Sequence, residues 1–147
     1  MRYLATIEVP RDPVETFDYL SRFSLAAQWD PGVAEARQVT PDPVGLGSQF
    51  ELVTVFMGNR TKLTYEVVEF ERPNRVVLAA DTSTVHSLDT VTFDASPGGT
   101  LITYDALLEF KGIFRLFTPL LALAFKRIGD AATAGLKSAL PALPSQG

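Results

Sequence analysis

The sequence contains no cysteine and a single histidine, His86. Without thiols there can be no disulfide framework, no thiolate metal site and no cysteine nucleophile. One histidine, with no carboxylate cluster beside it, leaves no metal-ligand set. The serines sit in no nucleophile-elbow pattern, so a serine triad is not expected either. Long apolar runs are also missing. The most apolar stretch, from Phe114 to Phe125, is broken by Arg115 and Pro119 and falls well short of the roughly 20 residues needed to cross a bilayer. The opening residues, Met1 to Glu8, lack the apolar core of a signal peptide. Together with the absence of cysteine, this predicts a cytoplasmic protein with no integral membrane association. The sequon Asn59-Arg60-Thr61 is then incidental. Positive charge is scarce: 13 Lys and Arg stand against 17 Asp and Glu, for a net charge of -4. The basic residues form no cluster that could track a phosphate backbone, so nucleic acid is not expected as a partner.

What is present is ordinary globular composition, 46% hydrophobic and 20% charged. Tyr3 to Val9 alternates like a half-buried strand and is stopped by Pro10. Asp12-Pro13, with Glu15 behind it, is an N-cap followed by a proline at the first helical position, predicting a short helix that carries Phe17 and Leu20. A second short helix is expected from Ser24 to Gln28, ending at the turn Trp29-Asp30-Pro31-Gly32. Strands follow at Val33–Thr40, Ser48–Phe56, Thr61–Phe70, Arg75–Ala80, Thr84–Asp94 and Thr100–Phe110. The short turns between them imply an antiparallel meander. Thr118-Pro119 then opens a long helix that runs to about Leu140, where Pro141 ends it. These elements predict one domain over residues 1–140 and a flexible tail over 141–147.

Seven antiparallel strands must cover one face, and the long C-terminal helix is the element large enough to do it. The expectation is an α+β fold, with a curved seven-stranded sheet wrapped around that helix and two short helices propping one end. The helix carries large residues in its first half (Leu120, Leu121, Leu123, Phe125) and Gly129, Ala131, Ala132, Ala134 and Gly135 in its second. Interior glycines cost about 1 kcal/mol each in helix propensity. Close packing of the helix backbone and room for a ligand are both explanations, and they are compatible. Any cavity should be widest against Ile128 to Leu136.

The arrangement resembles the START-like (SRPBCC) superfamily, which has the helix-grip fold. The resemblance rests on Val9-Pro10 with the segment Pro13 to Leu20, on Trp29-Asp30-Pro31-Gly32, and on Gly45-Leu46-Gly47-Ser48-Gln49-Phe50. It continues through Tyr65 to Glu69 with Arg72-Pro73, Gly98-Gly99-Thr100, and Ala134-Gly135-Leu136. It implies a ligand cavity between sheet and long helix. It also allows functions from lipid carriage to polyketide cyclisation or dehydration, since fold does not fix function.

Strand alternation turns an apolar set inward: Phe50, Leu52, Phe56, Leu63, Tyr65, Val67, Leu78, Val91 and Tyr104. With Trp29 and, from the helix, Leu121, Phe125, Ile128 and Ala132, these are the candidate ligand-binding residues. The same alternation puts His86 outward and Asp89 inward. A carboxylate among apolar neighbours needs either a partner, such as an arginine or a loop it caps, or a raised pKa, which would suit proton transfer. On the second reading Asp89 and Tyr104 are the candidate catalytic pair. Gly45-Leu46-Gly47 lacks the following lysine and helix of a phosphate loop. No cofactor and no metal are expected. The leading reading is a protein that binds a small hydrophobic ligand of lipid, polyketide or isoprenoid type. The alternatives are a polyketide cyclase or dehydratase acting on such a ligand, and a protein-interaction module or homodimer using Phe114, Leu116 and Phe117.

Overall fold

The computed structural model describes residues 1–56 and 58–140, with the side chains of Phe56, Phe117, Thr118 and Leu120 left aside. The tail expected over 141–147 lies outside the described residues. The chain runs β1 (Arg2–Val9), α1 (Pro13–Ser21), a 3-10 segment (Phe23–Gln28), then β2 (Val33–Gln38), β3 (Gln49–Phe56), β4 (Asn59–Glu71), β5 (Arg75–Asp81), β6 (Val85–Ser96) and β7 (Gly99–Phe110). A second 3-10 segment (Gly112–Phe117) leads into α2 (Thr118–Ala139). Every strand pairing is antiparallel, and the sheet order is β1-β7-β6-β5-β4-β3-β2, so β7 returns beside β1 while the other neighbours are consecutive. This is the helix-grip α+β fold: a curled half-barrel of seven strands gripping a long C-terminal helix.

Local chemistry explains the start of α1. The Asp12 side chain accepts a hydrogen bond from the Glu15 backbone N–H at 2.8 Å, and Pro13 occupies the first helical position. The curl has a local cause as well. The β4–β5 register shifts between Val67 and Glu69, which leaves Val68 as an extra residue, and β2–β3 shifts between Val33 and Glu35. Such bulges bend and twist the strand that carries them. The bulge also re-aims side chains. Leu63, Tyr65 and Val67 are buried on the inner face, and strict alternation would turn Phe70 outward. Past the bulge Phe70 instead meets Phe17 edge-on at 5.1 Å.

The short helices fill one end of the hollow. Phe17 is fully buried between Phe70 and Phe93, while Phe23 packs against Phe50 at 6.4 Å and Tyr65 at 5.3 Å. Each buried aromatic of this kind contributes about 2–3 kcal/mol of hydrophobic stabilisation. The C-terminal helix is therefore not the sole filler of the sheet. It seats chiefly through its second half, where Leu136 is fully buried, as is Leu140 just beyond. The Arg11 guanidinium donates to the Leu140 carbonyl at 3.2 Å, and Tyr3 Oη donates to Asp130 Oδ1 at 2.6 Å.

Both interior glycines of α2 lie at points of close approach. A Cβ on Gly135 would collide with the Trp29 carbonyl oxygen, and one on Gly129 would come within 2.5 Å of the Tyr3 ring. Gly135→Ala should therefore lower stability by about 1–3 kcal/mol in urea unfolding, although the same change in a free-standing helix gains about 1 kcal/mol. Gly45→Ala, where an added Cβ would meet nothing within 4 Å, should shift stability by less than about 0.5 kcal/mol.

Candidate functional site

Beyond the end plugged by Phe17 and Phe23, the sheet and α2 stand apart and leave a half-open cavity of about 390 Å³. Its floor comes from the inner faces of the long strands: Leu63 and Tyr65 on β4, Val85, Ser87 and Asp89 on β6, and Tyr104, Ala106, Leu108 and Phe110 on β7. Its roof is the face of α2 formed by Phe125, Ile128, Gly129, Ala132, Thr133 and Leu136, which follow one another at helical spacing. Trp29, Asp30 and Gly32 close the inner end, and Thr54, Asn59, Thr61, Thr84 and Phe114 stand around the rest of the wall. The small residues of the helix thus serve both purposes: Gly129 and Gly135 admit close packing against Tyr3 and Trp29, while Ala132 leaves space beneath the roof.

Of the candidate ligand-binding residues, Trp29, Leu63, Tyr65, Tyr104, Phe125, Ile128 and Ala132 stand together on this wall. Phe50, Leu52, Val67, Leu78 and Val91 also face inward but are buried in the closed core rather than on the cavity wall. The physical reason is the filling of that end by α1 and the first 3-10 segment. Leu121 is half-buried on α2 and off the wall, and the Phe56 side chain lies outside the described residues. His86 is on the outer face with Nδ1 3.2 Å from Asp81 Oδ1.

Four polar groups interrupt the apolar floor. Tyr104 Oη donates to Asp89 Oδ2 at 2.6 Å, and the Tyr65 hydroxyl shares a hydrogen bond with Ser87 Oγ at 2.9 Å. Burial pushes the Asp89 carboxyl up to about 7. The neighbouring charges of Asp30 and Asp105 add to the rise, while hydrogen bonds from Tyr104 and Ser87 oppose it. Tyr104 is held far above the usual phenol range by burial and by the Asp89 charge, so it stays a neutral donor. Asp30 accepts the Gly32 backbone N–H at 2.8 Å, and burial raises its pKa too.

Sequence reasoning passed over Asp30 as a mere turn residue. The Asp-Pro-Gly turn was readable, but not its position beneath α2, which depends on the close approach at Gly135. Among the described residues that line the cavity, none carries a basic side chain. Among the described residues, no group of three or more His, Cys, Asp and Glu is placed to hold a metal ion. No helix among them is long and apolar enough to cross a membrane.

A carboxyl with a pKa near 7 in the fold and about 3.9 in the unfolded chain binds its proton more tightly when folded. Its presence therefore lowers stability progressively as pH rises from about 4 to about 7, after which the loss is complete. Asp89→Asn removes this titration while keeping an acceptor for Tyr104. Denaturant unfolding should show the variant gaining on the parent by at least about 1 kcal/mol between pH 5 and pH 8. A constant difference would mean that Asp89 is not held protonated by its surroundings.

Comparison with known proteins places this geometry in a wider group. The family model for "Polyketide cyclase / dehydrase and lipid transport" matches residues 2–141. Uncharacterized proteins from two strains of Mycobacterium tuberculosis are 31% identical over 71 residues, which is 48% of this chain and 50% of theirs. The chain thus spans about half the length of the curated relatives it matches. Among solved structures, a Thermus thermophilus protein superposes with a TM-score of 0.83 at 18% identity, covering 99% of this chain and 100% of that one. A START superfamily protein from Mycobacterium smegmatis gives 0.80 at 16% identity, covering 97% and 99%. The di-domain ARO/CYC BexL from the BE-7585A biosynthetic pathway gives 0.74 at 16%, covering 98% of this chain and 51% of that one. These identities speak for the fold alone. The family match spans nearly the whole chain, and with the curled sheet gripping α2 it settles the lineage: the protein belongs to the polyketide cyclase / dehydrase and lipid transport family, on a START-like helix-grip fold.

Proposed function

We propose that residues 1–140 act as one binding unit, holding a small hydrophobic molecule between sheet and helix with its polar end uncharged or cationic. The observation that carries this reading is the composition of the cavity wall. About 390 Å³ lies within the range of roughly 300–1,000 Å³ usual for small-molecule sites, and the wall is mostly apolar. The polar end of the ligand would meet Asp30, Asp89, Tyr104, Tyr65 and Ser87. Among the described residues, no lysine, arginine or histidine lines the cavity to receive an anion. A carboxylate or phosphate there would be a buried charge beside two acids, which is strongly unfavourable. Neutral polyketides, isoprenoid alcohols and uncharged lipids fit this chemistry, and fatty-acid anions do not. The family's description, which includes polyketide chemistry and lipid transport, supports the same class.

Displacement of a neutral fluorescent hydrophobe tests both parts of the reading. Lauryl alcohol should compete at least about tenfold better than laurate at neutral pH, the difference expected for an unpaired buried charge. Ala132→Phe, which fills the space beneath the roof, should weaken probe binding by a similar factor with little change in melting temperature. Failure of the parent protein to bind any such probe would remove the proposal.

A second reading has one observation in its favour, the titration of Asp89 near pH 7 against the cavity. A carboxylate there could take the proton from a carbon flanked by carbonyls in a polyketide-like chain. The apolar walls would hold that chain folded for ring closure. In a purified assay with a poly-β-keto substrate, Asp89→Asn should then lower kcat by about 10²-fold or more. Unchanged turnover in that variant would leave binding as the only role.

A further inference from the structure

Hydrophobic side chains and positive charges are gathered where the sheet hands over to α2. In the 3-10 segment Gly112–Phe117, Ile113 is 69% exposed and Leu116 77%, and their three-residue spacing places them on one face. One turn into α2, Leu123 is 60% exposed, and Lys126 and Arg127 follow on the same outward face. Phe114, also exposed, belongs at once to this surface and to the cavity wall. Ordinary exposed leucines need no explanation, but an apolar patch of this kind next to a residue of the cavity wall does.

The charge around it is just as uneven. Between Lys111 and Arg127 the chain has four basic residues (Lys111, Arg115, Lys126, Arg127) and no acid, in a protein of net charge -4. Lys111 is engaged by Asp81 at 2.7 Å, and Lys126 lies 3.6 Å from Asp130, so these two are partly neutralised. Arg115, between Ile113 and Leu116 in the chain, and Arg127, four residues after Leu123, are both exposed.

We infer that this surface docks on an anionic lipid bilayer, with Ile113, Leu116 and Leu123 entering the interface and the basic residues meeting the headgroups. Apolar side chains rimmed by Lys and Arg are the composition that such an interface favours, because each contributes where the other is weak. A second copy of the chain fits less well, since a two-fold contact would set the same cations against one another. Docking here would bring the membrane up to Phe114, a residue of the cavity wall. Ile113, Leu116 and Leu123 do not line the cavity, so the surface is separable from the binding reading.

Co-sedimentation with vesicles tests the inference. The protein should bind vesicles of phosphatidylcholine with about a third phosphatidylglycerol, release as salt is raised, and ignore pure phosphatidylcholine. The paired changes Ile113→Ser and Leu116→Ser should reduce binding by at least about tenfold, and Lys126→Glu with Arg127→Glu should do the same. All four sites are exposed, so melting temperature and uptake of a neutral cavity probe should remain those of the parent. Loss of probe uptake would instead speak to the cavity. Absence of vesicle binding, equal binding to both vesicle types, or full binding by both variant pairs would overturn the inference. So would a dimer on size exclusion that the Ile113 and Leu116 changes dissolve while the parent ignores vesicles.

Discussion

The contact between Gly135 and the Trp29 carbonyl fixes how far α2 can sink towards the sheet. Because no side chain separates them, helix and turn meet backbone to backbone, and Leu136 and Leu140 drop into full burial. The turn is pinned in its own right, Asp30 accepting from Gly32 at 2.8 Å. Tyr3 then holds Asp130 from the opposite edge of the sheet. The helix is thus set by its second half, and the height of its roof over Asp89 and Tyr104 follows from that seating. A bulkier residue at position 135 would move the roof as a whole rather than one contact.

Two kinds of packing divide the hollow. Under α1 and the first 3-10 segment, aromatic rings meet edge-on around Phe17 and Phe23 at 5.1 to 5.3 Å. Under α2, the small side chain of Ala132 faces space that the sheet does not fill. The stability of the fold and the volume of the cavity are consequently drawn from different ends. Polar residues could be placed on the cavity floor without weakening the closed core. There Asp89, Tyr104, Tyr65 and Ser87 satisfy one another at close range. The cost of keeping Asp89 in that floor appears as its raised pKa.

Element order and sheet composition were legible in the sequence because punctuation and period agreed. Asp12-Pro13 opened α1, proline and glycine pairs bounded the strands, and two-residue alternation carried Asp89 inward with Val91 and Phe93. What alternation could not supply was depth. Phe50, Leu78 and Val91 share the inner face with Tyr65 and Tyr104, and only the placement of the short helices decides which end is plugged. Alternation also fails at Val68, where one extra residue flips the parity and sends Phe70 to Phe17. Asp30 escaped notice for a related reason. Its surroundings come from residues about a hundred positions away, and no local pattern records them.

Trp29 is the only tryptophan in the chain and is 4% exposed. Its indole meets Tyr104 edge-on at 6.0 Å on the cavity wall, and its Nε1–H has no acceptor among the described residues. A single buried fluorophore in that position makes the protein its own optical gauge. Its indole emission has one source, set on the cavity wall beside the Asp89–Tyr104 pair. Polarity, quenching and energy transfer from the neighbouring tyrosines all report on the same few ångströms of space. The state of the cavity is therefore written into the intrinsic spectrum of the molecule, with no label to disturb the fit between roof and floor.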